Sequence, residues 1–106
     1  MVAVGRFQGT TGLGRRPCAV RHEVIDLIAA AGGEHVRVFG SVVSGEDSEG
    51  SDIDLLFTMT RPLGLMELEA LQARVSDLVG SPVDLVPEEA LLPRVAGKVL
   101  GEAVPL

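Results

Sequence analysis

The spacing of apolar side chains changes period along this chain, and each change marks an element. Val24, Leu27, Ile28 and Ala31 recur at three- and four-residue intervals, which predicts a helix from Val20 that ends at Gly32-Gly33. Over His35–Phe39, Val36 and Val38 alternate with His35 and Arg37, the period of a short strand. Gly40-Ser41 follows at once and is expected to open a short helical turn, and Gly45 to Ser51 reads as a polar loop. Asp52 to Thr58 is a second strand, apolar enough to be buried on both faces. After a turn at Arg61-Pro62, Leu65, Leu68, Leu71, Val75 and Leu78 form the stripe of a long helix up to Gly80, with Glu67, Gln72, Arg74 and Asp77 on its polar side. Pro82 to Val86 is a third strand. Glu88-Glu89 suit a helix N-terminus, and Pro93 breaks that helix or restarts it as another. Leu91, Leu92, Val95, Val99 and Leu100 supply a closing apolar face.

The order helix, strand, strand, helix, strand, helix predicts an α/β (α+β) domain, a small mixed sheet of three to four strands flanked by helices. It occupies residues 20–106. Residues 1–19 lack apolar periodicity and carry Gly5, Gly9, Gly12, Gly14 and Pro17, so a flexible N-terminal arm is expected there. The arm has no apolar central segment of a secretory signal and no Gly-Lys-Ser/Thr phosphate loop.

A chain of 106 residues is the size of one domain. No apolar run is long enough to span a membrane as a helix. A single cysteine, Cys18, makes no internal disulfide and fits a reducing, cytoplasmic setting. Lys and Arg number 9 against 15 Asp and Glu, a net charge of −6. The charge is uneven: residues 1–22 hold Arg6, Arg15, Arg16 and Arg21 and no acid. The acidic remainder argues against direct nucleic-acid binding, which draws its affinity from Lys and Arg on phosphates. Phe7, Phe39 and Phe57 are the only aromatic residues, too few for a platform that stacks bases.

Three acids stand where strands disfavour them. Asp52 and Asp54 are two apart, so both carboxylates face one side while Ile53 and Leu55 face the other. Asp84 lies between Val83 and Leu85 in the third strand and joins the pair if the two strands are neighbours. Clustered carboxylates repel and raise one another's pKa, a cost that a divalent cation removes. Mg²⁺ (or Mn²⁺) suits carboxylate oxygens together with substrate phosphates. Gly40 lets a phosphate approach the backbone, and the Ser41 hydroxyl can donate to it. The arrangement outlines a metal-dependent phosphoryl-transfer site. The alternative is structural: Asp52 as a turn cap, Asp54 as an edge-strand acid facing water, and Asp84 as a solubilising acid after Ser81-Pro82.

These segments resemble a known family. Val38–Ser41 (VFGS), Ser51–Phe57 (SDIDLLF), Gly80–Pro93 (GSPVDLVPEEALLP) and Val99–Leu106 (VLGEAVPL) look like the minimal nucleotidyltransferase (MNT) domain of the DNA polymerase beta superfamily. The resemblance runs from about Val20 to Leu106. It implies a nucleotidyltransferase-like fold, with Gly40 and Ser41 as the nucleotide-binding turn and Asp52 and Asp54 as paired metal ligands. Asp84 is then the third catalytic and metal-binding carboxylate, placed to position or deprotonate the attacking hydroxyl. Many members of that branch are antitoxins of HEPN-domain ribonuclease toxins, and some transfer AMP from ATP to a tyrosine of the toxin. The implied reading is a metal-dependent transferase with ATP as substrate and a HEPN toxin as partner; homo-oligomerisation is left open. Its runner-up is an antitoxin that neutralises by contact alone, and a third is a transferase for a small molecule or an RNA end. One departure bears on the choice: the family's usual Ala-Arg-Gly is Val43-Ser44-Gly45 here, so an arginine near the triphosphate is missing.

His22 and His35 have no metal-ligand spacing and read as structural or solvated. Cys18, beside Arg15 and Arg16, reads as an incidental thiol, and the Leu65–Leu78 stripe as core.

Overall fold

The computed structural model describes residues 5–48 and 50–106. The elements run α1 (Gly12–Ala19), α2 (Arg21–Ala30), β1 (Gly33–Phe39), α3 (Ser41–Ser44), β2 (Ile53–Met59), α4 (Leu65–Val79) and β3 (Val83–Pro87). A 3-10 turn (Glu88–Ala90), α5 (Pro93–Glu102) and β4 (Val104–Pro105) complete the chain. The strands form one sheet in the order β3-β2-β1-β4. β1 is antiparallel to β2 and β4, and β2 is parallel to β3, so the sheet is mixed as expected.

One face of the sheet carries the core. Val36, Val38, Ile53, Leu55, Phe57, Val83 and Leu85 meet Val24 and Ile28 of α2 and Leu71, Val75 and Val79 of α4 in a single buried cluster. Val24, Ile28, Leu71 and Val75 belong to the stripes the spacing predicted, but the α4 stripe shifts: Leu65 faces solvent, Leu68 and Leu78 are half-buried, and Val79 joins the core. Gly80 ends α4 with φ 79°, a left-handed position that glycine adopts without steric cost. Where the reading left Pro93 to break or restart a helix, the chain does the latter: Leu92 precedes a fresh helix with Pro93 in its first turn.

The chain departs from expectation at three places. Residues 1–4 of the expected arm lie outside the described residues, but from Phe7 onward the segment is packed. Phe7 is 5% exposed, and its N–H donates to the Pro105 carbonyl at 2.7 Å. Thr11 caps α1, its hydroxyl accepting from the Gly14 N–H at 3.0 Å. Glycine-rich composition hid this helix, because periodicity needs more apolar positions than eight residues of GLGRRPCA offer.

Arg37 was expected on a polar strand face, yet it is buried. His35, exposed and at φ 54°, marks a bulge: the register slips between Glu34 and Arg37, placing one extra residue on β1. Arg37 sits opposite Leu56, donates to Glu88 at 2.7 Å and to Thr58 Oγ1 at 3.2 Å, and is committed there. The third departure is β4, two residues pairing with Arg37 and Val38.

Candidate active site

The sheet topology brings the singled-out acids to one end of the sheet. β2 is an inner strand, so the reading of Asp54 as an edge acid fails. In the parallel β2–β3 ladder Asp54 is the register partner of Asp84, which puts both carboxylates on the face opposite the helices. Asp52 immediately precedes β2, two residues from Asp54. The start of that strand is tied to β3 by the Ile53 N–H donating to the Pro82 carbonyl at 3.0 Å. A turn held by Ser48 N–H to Ser51 Oγ, 2.9 Å, delivers the chain to Asp52.

Gly40 closes the same end from β1, because Phe39 is paired with Asp54 in the antiparallel ladder. Its φ is 81°, and a Cβ built there would collide with the Asp54 carboxylate. Glycine is therefore required twice, by backbone conformation and by the acid lying over it. The Gly40 carbonyl accepts from the Val43 N–H at 3.1 Å, which starts the helical turn at Ser41. Among the described residues the Ser41 hydroxyl makes no hydrogen bond of its own.

Electrostatically the site lacks a cation. Arg37 with Glu88 and Arg61 with Glu67 are the ion pairs among the described residues, and neither includes Asp52, Asp54 or Asp84. Burial pushes Asp54 up to about 6, with further contributions from the charges of Asp84 and Asp52. Asp54 thus senses the charges of both other acids. Among the described residues, however, no group of three His, Cys, Asp or Glu side chains is drawn together into a finished metal cage. The donor set still fits Mg²⁺, which binds through one or two carboxylates and takes its remaining ligands from water and substrate phosphates.

Beside the acids lies a cleft of about 710 Å³ between α4 and β3. Asp52 and Asp84 line it together with Gln72, Ser76 and Asp77 of α4. Gln72 and Asp77 read in the sequence only as the polar side of a helix. The signal that sets Gln72 apart is its spacing with Ser76, one helical turn away on the same flank. Both reach β3: Ser76 Oγ accepts from the Val83 N–H at 3.0 Å and Gln72 Oε1 from the Leu85 N–H at 2.9 Å.

Comparison with known proteins places this geometry in context. The family described as the nucleotidyltransferase domain matches residues 20–106. The protein adenylyltransferase MntA of Thermococcus cleftensis is 37% identical over 73 residues, 69% of this chain and 74% of that protein. A solved structure assigned as a minimal nucleotidyltransferase superimposes with a TM-score of 0.78 at 39% identity, covering 93% of this chain and all of that one. A complex of a tri-AMPylated Shewanella oneidensis HEPN toxin with its MNT antitoxin shares the fold at 18% identity. There the TM-score is 0.65, over 83% of this chain and 69% of that chain. No helix of the described residues is long and apolar enough to cross a membrane.

Proposed function

The chain belongs to the nucleotidyltransferase domain family, and from that premise we propose that it transfers AMP from ATP to a hydroxyl of a partner protein. The observation that carries the reading is the pairing of Asp54 with Asp84 across β2 and β3, with Gly40 directly beneath Asp54. In this reading Gly40 and Ser41 receive the phosphates, and Asp52, Asp54 and Asp84 hold Mg²⁺ or Mn²⁺. When bound, the metal neutralises charge on the triphosphate and on the leaving group. The acceptor oxygen attacks the α-phosphorus in line, the bond to the β-phosphate oxygen breaks, and pyrophosphate leaves. Asp84, exposed like Asp52 but carried by the neighbouring edge strand β3, is assigned the acceptor side, where its carboxylate takes the hydroxyl proton.

The partner we propose is a HEPN-domain toxin, with this chain as its antitoxin in the cytoplasm. Support comes from the adenylyltransferase name of the Thermococcus relative and from the fold shared with the Shewanella antitoxin. Intact-mass spectrometry of the protein co-expressed from the neighbouring gene tests the assignment. An added AMP is expected; an unmodified partner in a tight complex contradicts transfer.

One observation favours a second reading, neutralisation by contact alone. α3 is Ser-Val-Val-Ser, with no cation to meet the triphosphate, and Arg37 is engaged by Glu88. Transfer to RNA is disfavoured by the acidic surroundings of Asp52 and Asp84.

A further inference from the structure

The cleft beside Asp84 carries a charge pattern that the transfer step does not itself require. Asp77 lines it together with Asp52 and Asp84, and no Lys or Arg among the described residues does. Asp77 stands in the last turn of α4, where a carboxylate opposes the helix dipole and weakens the helix. The helix end is served instead by Arg16 of α1, whose guanidinium donates at 2.5 Å to the carbonyl of Gly80, a lining residue, without lining the cleft itself. Asp77 has no cationic partner among the described residues. A metal at the three catalytic acids offsets Asp52 and Asp84 but leaves the charge of Asp77 uncompensated.

The cleft also limits how an occupant can dock. β3 is an edge strand, yet the outward N–H groups of Val83 and Leu85 are already taken by Ser76 and Gln72. A polypeptide cannot readily add there as a further strand. It must enter with side chains, and the charge of the walls favours cationic ones while repelling phosphate or carboxylate.

We propose that this cleft receives the acceptor polypeptide, and that Asp77 selects a segment carrying Lys or Arg beside the acceptor hydroxyl. The inference rests on the transferase reading, which puts that hydroxyl at Asp84. Fluorescent peptides with one Tyr flanked by Lys or by Glu provide the probe, titrated by anisotropy with a non-hydrolysable Mg-ATP analogue present. Two variants share one change in net charge. Asp77→Lys alters the cleft, and Glu34→Lys alters an exposed position paired with Thr58, at the far end of the sheet from Asp54.

Wild type is expected to prefer the Lys-flanked peptide by about tenfold, an energy within reach of a few partly desolvated charge pairs. Asp77→Lys should abolish the preference, Asp77→Asn should reduce it, and Glu34→Lys should keep most of it. Equal loss in the two Lys variants means a general effect of net charge and overturns the proposal, as does a wild type with no preference. Calorimetry with the same analogue separates the two levels. Nucleotide binding without peptide preference removes the cleft assignment alone, and absence of nucleotide binding removes the transferase reading with it.

Discussion

At the scale of single residues, Asp54 is the most informative group. Its carboxyl sits near 6 in the folded chain, above its ordinary value of 3.8, chiefly through burial and then through Asp84 and Asp52. A folded state that holds this proton more tightly than the unfolded chain loses stability as pH rises from about 4 to about 6. Above that window the full cost of the charged cluster is present. With chelator, melting temperature should therefore fall across this window, and Asp54→Asn should flatten the fall and melt higher at pH 7. The same variant should lose the stabilisation that Mg-ATP gives wild type by mass action. An Asp54→Asn protein with the wild-type pH slope and the full Mg-ATP response refutes the assignment.

Gly40 makes the complementary case. Gly40→Ala places a Cβ at φ 81° against the Asp54 carboxylate. A cost of about 1–3 kcal/mol is expected from the backbone conformation alone, and nucleotide binding should fall with it. Denaturant melts and calorimetry read both. Ser41→Ala should leave the fold intact and weaken Mg-ATP binding by about 1 kcal/mol, the scale of one hydrogen bond.

These residues were legible in the sequence for a physical reason. Strands disfavour Asp, so Asp52, Asp54 and Asp84 stood out against apolar neighbours, and a glycine at a strand end signalled an unusual backbone. The burial of Arg37 was not legible. The bulge at His35 shifts register by one residue, and no local pattern announces an αL histidine.

At the scale of elements, α2, α4 and the strands β1, β2 and β3 followed from periodicity, whereas α1 and the pairing did not. That β2 lies between β1 and β3 depends on how α4 crosses over, and only this parallel pairing makes Asp84 a neighbour of Asp54. The edge of β3 is finished by α4 through Ser76 and Gln72. Ser76→Ala and Gln72→Leu should each destabilise by about 1 kcal/mol, since a β3 amide loses its acceptor. Hydrogen exchange at Val83 should quicken in the first and at Leu85 in the second. Unchanged protection at those amides would show that water serves the edge equally well.

At the scale of the whole molecule, the segment from Phe7 to Ala19 is part of the folded body rather than an appendage. Phe7 joins the core cluster, and the Arg21 guanidinium and the Cys18 thiol both donate to the Phe7 carbonyl. Phe7→Ala should cost about 3 kcal/mol, the usual range for an aromatic truncated in a core. A urea midpoint like that of wild type contradicts this packing. The same body leaves Leu65, Met66 and Leu92 exposed and sets the acids at an open end of the sheet.

The central claim is that Asp52, Asp54, Asp84 and the Gly40-Ser41 turn form a site for nucleotidyl transfer to a partner. It is tested most directly by incubating the purified partner with Mg²⁺, α-labelled ATP and either wild type or Asp52→Ala. Label should appear on the partner with wild type, be absent with Asp52→Ala, and be lost on adding chelator. No label with wild type, while wild type and Asp52→Ala bind the partner equally tightly, contradicts the claim and leaves neutralisation by contact.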